Sequence, residues 1–166
     1  MAETKTAVQE SIVTFGALFL LAVAGRVLFG NLTNITGIEP VIPLAVLAGL
    51  FYGGRYGFAV GAGGYALGNI FLGQFGGIGF AMVYSALAGG IAGYLGRYAN
   101  REKYLGTVIV ATIVYEIIYR LWNADFVYPS AAITESFPMI LTHIAGNLVF
   151  TFGLGIWFFR EPGQKK

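Results

Sequence analysis

The feature that most constrains this chain is a succession of apolar runs separated by short polar breaks, with almost no polar sequence left over. The runs are 11–29, 40–52, 56–72, 77–96, 105–122 and 137–159. A helix that crosses a bilayer needs ~20 predominantly apolar residues, so 166 residues hold about six such helices and no second globular domain. The expected fold is therefore all-α: a compact bundle of six transmembrane helices in a single domain over 1–166, residing in the plasma membrane as a multi-pass protein. Composition agrees. The chain is 57% hydrophobic and 11% charged, against ~45–50% and ~25% in soluble domains. The second run is short for a span, and Gly53-Gly54-Arg55 leaves only a tight hairpin before the third. A tilted, partly unwound or shallow second helix is expected.

Basic residues set the expected orientation. With the N-terminus inside, Lys5, Arg55, Arg97, Arg101, Lys103, Arg160, Lys165 and Lys166 fall on one side, leaving only Arg26 and Arg120 near the outer helix ends. The positive-inside rule makes that side cytoplasmic, with both termini there. The outer connections, 30–39 and 123–135, carry Glu39, Asp125 and Glu135 and no Lys or Arg. The N-terminal segment mixes acid and base, and the apolar run before Ala22-Val23-Ala24 suits a retained helix better than a cleaved signal. Asn31-Leu32-Thr33 and Asn34-Ile35-Thr36 match the N-glycosylation triplet, but they read first as a polar loop.

Small residues recur every four positions at Ala45, Gly49, Gly53, Gly57 and Gly61, and again at Ala81, Ser85, Gly89 and Gly93. In lipid, such rows let backbones approach closely and gain van der Waals contact. They serve either packing within the bundle or docking of another membrane subunit. Gly57, Gly61, Gly89 and Gly93 are the candidate docking positions.

Ionisable and polar residues inside apolar runs are costly and face a bundle interior or a watery cavity. Here they gather at one depth. Glu116 and Arg120 stand four apart on the fifth helix, flanked by Tyr115 and Tyr119, close enough to pair. His143, Asn147 and Thr151 form one stripe on the sixth; Tyr65 and Asn69 share a face of the third; Arg26 and Tyr84 lie at similar depth. A one-sided cluster resembles a cup open to the outside rather than a full-length ion path. The candidate substrate-binding residues are Arg26, Tyr65, Asn69, Tyr84, Glu116, Tyr119, Arg120, His143 and Asn147. Each also has a structural reading, as an internal ion pair, a helix cap, a packing residue or part of the interfacial aromatic belt.

Enzyme signatures are missing. One histidine and no cysteine leave no basis for an HExxH or thiolate metal centre. The chain has neither a GxSxG elbow nor a phosphate loop, and its single aspartate, Asp125, rules out a paired-aspartate protease. No catalytic residue, cofactor, metal or nucleic-acid partner is expected.

Over residues 26–97, and most clearly from Glu39-Pro40 through the Gly53-Gly54 hairpin to Asn69, the chain resembles the substrate-binding S components of energy-coupling factor transporters. The resemblance implies a vitamin or small-metabolite site near the outer face, lidded by residues 30–39. It also implies a complex with a membrane scaffold subunit and two ATPase subunits. The Ala-x-x-x-Ala pair that often docks the first helix of that family to its scaffold is absent here. The alternative is a non-transporting structural or scaffold subunit of a larger membrane complex, for which length and glycine pattern resemble the rod-shape-determining membrane proteins.

Overall fold

A computed structural model describes residues 2–32, 38–74, 79–123 and 137–159. Every regular element among them is helical: α1 (Ala2–Leu32), α2 (Val41–Tyr52), α3 (Gly54–Phe71), α4 (Gly79–Tyr94), α5 (Tyr104–Asn123) and α6 (Phe137–Phe158), with a single 3-10 turn, Leu95–Tyr98, closing α4. Three segments are long and apolar enough to cross a membrane: Ile12–Asn31, Tyr104–Leu121 and Phe137–Phe158. The other three fall short of that measure. Glycine and polar residues dilute the apolar character of α3, α4 has 16 residues, and α2 has only 12, about 18 Å of helix against a hydrocarbon layer of ~30 Å.

The short α2 is the centre of the molecule. Its residues Val41 to Gly49 are all buried, and it packs against each of the other five helices. A helix that is apolar on every face is stable only when it is surrounded, and VIPLAVLAGLFY has no polar face to offer. Pro40 precedes the helix and Pro43 lies in its first turn, where a missing backbone N–H removes no helical bond. The reversal into α3 runs through Gly53 at φ +94°, a conformation that glycine reaches without a Cβ penalty. Its carbonyl accepts from the backbone N–H of Tyr56 and Gly57.

The small-residue rows resolve into packing inside the chain. A Cβ added at Gly57 would strike the carbonyl of Gly93, and one at Gly93 the carbonyl of Gly57. Gly61 and Gly89 oppose each other in the same way, while Gly49 sits against Gly93 and Gly96. All four positions proposed for docking are buried between α3 and α4, so their backbone surfaces are already covered by each other. Of the two uses expected for these rows, packing within the bundle is the one these contacts describe at Gly57, Gly61, Gly89 and Gly93. Leucine at Gly61 or Gly93 meets main chain, which cannot rotate away, so each variant is expected to lose at least ~1–3 kcal/mol. Thermal unfolding in detergent or nanodiscs measures this, with Gly106→Leu, where a Cβ meets nothing within 4 Å, as the control.

The exterior is apolar. Leu20, Leu28, Val110, Val149, Phe152, Ile156 and Trp157 are all exposed, on the three helices long enough to span. In water this surface would be an aggregation liability; in lipid it needs no cover. At the end of the bundle where α2 finishes, Phe15, Tyr52 and Tyr56 meet in edge-on contacts, and Phe51 lies against Phe158 and Phe159. These contacts tie α1, α2, α3 and α6 together.

Candidate functional site

The buried polar side chains gather where α1, α3 and α5 end and where α2, α4 and α6 begin. Among the described residues eight polar or charged side chains are buried: Glu39, Asn69, Ser85, Thr112, Glu116, His143, Asn147 and Thr151. All come from those ends or from the middle of their helices. Five helices and the segment leading into α2 contribute to them and their direct partners.

Two arginine–glutamate pairs frame the cluster. Arg26 on α1 forms an ion pair through Nη1 with Glu39 Oε2, just before α2. Its Nε and Nη2 both donate to Asn69 Oδ1 on α3, at 3.0 and 2.9 Å. The guanidinium also lies over the Tyr65 ring, 5.4 Å from its centroid. Gly68 makes this approach possible, since a Cβ there would strike the stem of Arg26. Asn69 passes the chain of bonds on: its Nδ2 donates to Ser85 Oγ at 2.9 Å, and Ser85 donates to the Met82 carbonyl. On the other side, Arg120 Nε donates to Glu116 Oε2 at 2.7 Å, one turn along α5. Glu116 Oε1 lies 2.5 Å from His143 Nδ1 on α6.

His143 stands between the two pairs. Its Nδ1 meets Glu116, and its Nε2 faces Glu39 Oε1 across 4.0 Å. The order is thus Arg26, Glu39, His143, Glu116, Arg120, with each carboxylate offering one oxygen to an arginine and turning the other toward the imidazole. Such charges are tolerable in an apolar bundle because each has a partner. Aromatic rings wall the cluster. Tyr65 stacks on Tyr115 at 4.6 Å and 16°, Tyr115 on Tyr119 at 5.8 Å and 6°, and the His143 ring meets Tyr115 edge-on at 5.3 Å. One turn further along α6, Asn147 Nδ2 donates to Thr112 Oγ1 at 2.8 Å.

Of the nine candidate residues, eight join this assembly. Arg26, Tyr65, Asn69, Glu116, Arg120, His143 and Asn147 do so directly, and Tyr119 through its stacking on Tyr115. Tyr84 is half-buried on α4, but its neighbour Ser85 supplies the hydrogen bond to Asn69. The residues that sequence reasoning passed over are Glu39, taken for a loop acid, together with Ser85, Thr112 and the central role of Tyr115. A counter-charge requirement would have found Glu39. An arginine buried among apolar helices needs an acid, and Glu39 directly abuts the apolar run at 40–52. The Asn34 triplet, Asp125 and Glu135 lie outside the described residues, as do residues 33–37 of the 30–39 connection. Among the described residues no group of three His, Cys, Asp or Glu side chains is arranged to hold a metal ion.

Comparison with protein-family models, with curated proteins and with solved structures finds no match for this chain.

Proposed function

We propose that this chain is a multi-pass plasma-membrane protein that binds a small molecule, a vitamin or related metabolite, as the substrate-binding subunit of an energy-coupling factor type uptake transporter. One observation carries the reading. Polar and charged side chains from all parts of the chain converge, buried, at one end of a bundle whose remainder is apolar. Burying them is costly, and a bundle that needed only to pack would be more stable with apolar residues of the same volume. Function is the simplest reason to keep them. Aromatic walls with a few convergent polar groups are also the usual make-up of a small-molecule site.

In this reading all six helices span the bilayer, α2 as a short helix enclosed by the others. Both termini are cytoplasmic, so the polar end faces outward and the 30–39 connection covers it. A single cysteine at Asn100 is then expected to label only after the cells are opened, and one at Ser130 from outside intact cells. Reversed labelling would place the cluster on the cytoplasmic side. Membrane scaffold and ATPase subunits are the proposed partners, and neither a cofactor nor an enzymatic reaction is part of the proposal.

The test of the site is affinity. Small molecules released from the gently purified protein are identified and titrated against folded variants. A hydrogen bond to a charged group contributes roughly 1.5–3 kcal/mol, so Arg120→Ala and His143→Ala are each expected to weaken binding by about 10–150-fold. Wild-type affinity in both variants, with folding intact, removes these residues from the site. The non-transporting structural subunit predicts instead that the variants change stability alone and that nothing small is released.

A further inference from the structure

Three buried polar atoms in the cluster have no hydrogen-bond partner: His143 Nε2, Asn147 Oδ1 and the Tyr65 hydroxyl. Their residues are 2%, 0% and 0% exposed. Buried polar atoms left unpaired are rare, and three in one cluster point to something that completes them.

The chemistry of that something follows from the bonds already made. His143 Nδ1 faces a carboxylate oxygen at 2.5 Å, so it carries the ring proton, and in the neutral imidazole Nε2 is then a bare acceptor. Two arginines already match two glutamates around it, and the 4.0 Å from Nε2 to Glu39 Oε1 is too long for an N–H bonded to that oxygen. For Asn147, the Thr112 hydroxyl donates to the Val108 carbonyl at 2.8 Å, so its oxygen accepts from Asn147 and the amide nitrogen must be the bonded end. Oδ1 is therefore the free atom, again an acceptor. The Tyr65 hydroxyl interacts with the Glu39 carboxylate, toward which it can only donate. The unmet groups are thus mainly acceptors, and they ask for donors.

We infer that the edge shared by His143 Nε2 and Glu39 Oε1 is the subsite for an uncharged hydrogen-bond donor of the ligand bearing two hydrogens, an NH2 group. This deepens the binding reading above and rests on it. Two acceptors reached by one atom bearing two hydrogens stand roughly 4–5 Å apart for ordinary hydrogen bonds, and the pair here falls at the short end of that range. Charge selects the uncharged form. The arginines and glutamates already cancel, so an ammonium group would be buried without a counter-charge. A carboxylate would set acceptor against acceptor.

The chain has a single histidine, so its imidazole nitrogens can be read without ambiguity. Full-length protein with 15N-labelled histidine in nanodiscs is titrated at neutral pH with acetamide, methylammonium and acetate. The expected result is one protonated and one bare ring nitrogen before any addition. Acetamide then moves the bare resonance saturably, at a concentration roughly tenfold or more below that needed for methylammonium, while acetate leaves it unchanged. In Glu39→Gln the new amide supplies the donor from within, so the resonance starts shifted and no longer responds. Two protonated nitrogens at the outset overturn the proposal, as does methylammonium or acetate acting first. Silence toward all three probes also overturns it, and leaves a resident water as the bridge. A small molecule released by a protein with a silent Nε2 counts against this subsite alone. A responsive Nε2 with nothing released counts against the transport reading alone.

Discussion

Replacing Glu116 by alanine is expected to be the most damaging single polar substitution in the chain. The carboxylate serves two partners at once, Arg120 through Oε2 and His143 through Oε1, and all three residues are largely shielded from solvent. Truncation leaves a guanidinium and an imidazole N–H without an acceptor in an apolar surrounding. Breaking a buried ion pair from one side typically costs 3–5 kcal/mol, and the orphaned imidazole donor adds roughly 1–3 kcal/mol. Equilibrium unfolding of the variant in detergent measures the loss. Glu116→Gln keeps one acceptor oxygen and is expected to lose less. The double variant Glu116→Ala/Arg120→Ala is expected to recover part of the loss, since it removes the uncompensated cation. A double variant as unstable as the sum of its parts would show that the pair is not coupled.

The second large effect is expected at Arg26. Its loss leaves Glu39, 3% exposed, as a carboxylate with no cation, and deprives Asn69 Oδ1 of both its donors. A cost of about 3–5 kcal/mol is again the expectation for Arg26→Ala. Arg26→Lys separates charge from shape. Lysine can neutralise Glu39 but cannot also offer a planar fork to Asn69, so an intermediate loss is expected. Removing the acid as well, in Arg26→Ala/Glu39→Ala, is expected to restore more stability than Arg26→Lys does. If Arg26→Ala unfolds at the wild-type midpoint, the ion pair does not hold the entry to α2 in place.

Much of this was legible in the sequence because periodicity and cost act locally. The spacing of Glu116 and Arg120 puts them on one face of a helix, and their pairing follows. The stripe of His143, Asn147 and Thr151 is buried as its four-residue period implies, and the Gly53-Gly54 hairpin falls where the apolar run breaks. What was not legible depends on contacts between distant segments. Nothing local to Glu39 distinguishes a loop acid from one drawn into the bundle; only Arg26, thirteen positions away, makes the difference. The rows of small residues announce close approach but not the identity of the neighbour, and Gly57 and Gly61 find theirs in Gly93 and Gly89. The short apolar run at 40–52 gives no sign that it will be the innermost helix. Its brevity suggested a tilted, partly unwound or shallow element; that five neighbours enclose it is a property of the whole fold.

The reading that the polar end is a binding site, and not only a device for packing, meets its most direct test in the native mass spectrum of the full chain, purified gently from its own membranes. The expected spectrum shows the protein carrying one additional small molecule in stoichiometric amount. That mass is expected to fall away in His143→Ala while the variant keeps its fold. A spectrum of the bare chain alone, from protein that is folded and was never stripped of bound molecules, would contradict the proposal and leave the two arginine–glutamate pairs as structural elements.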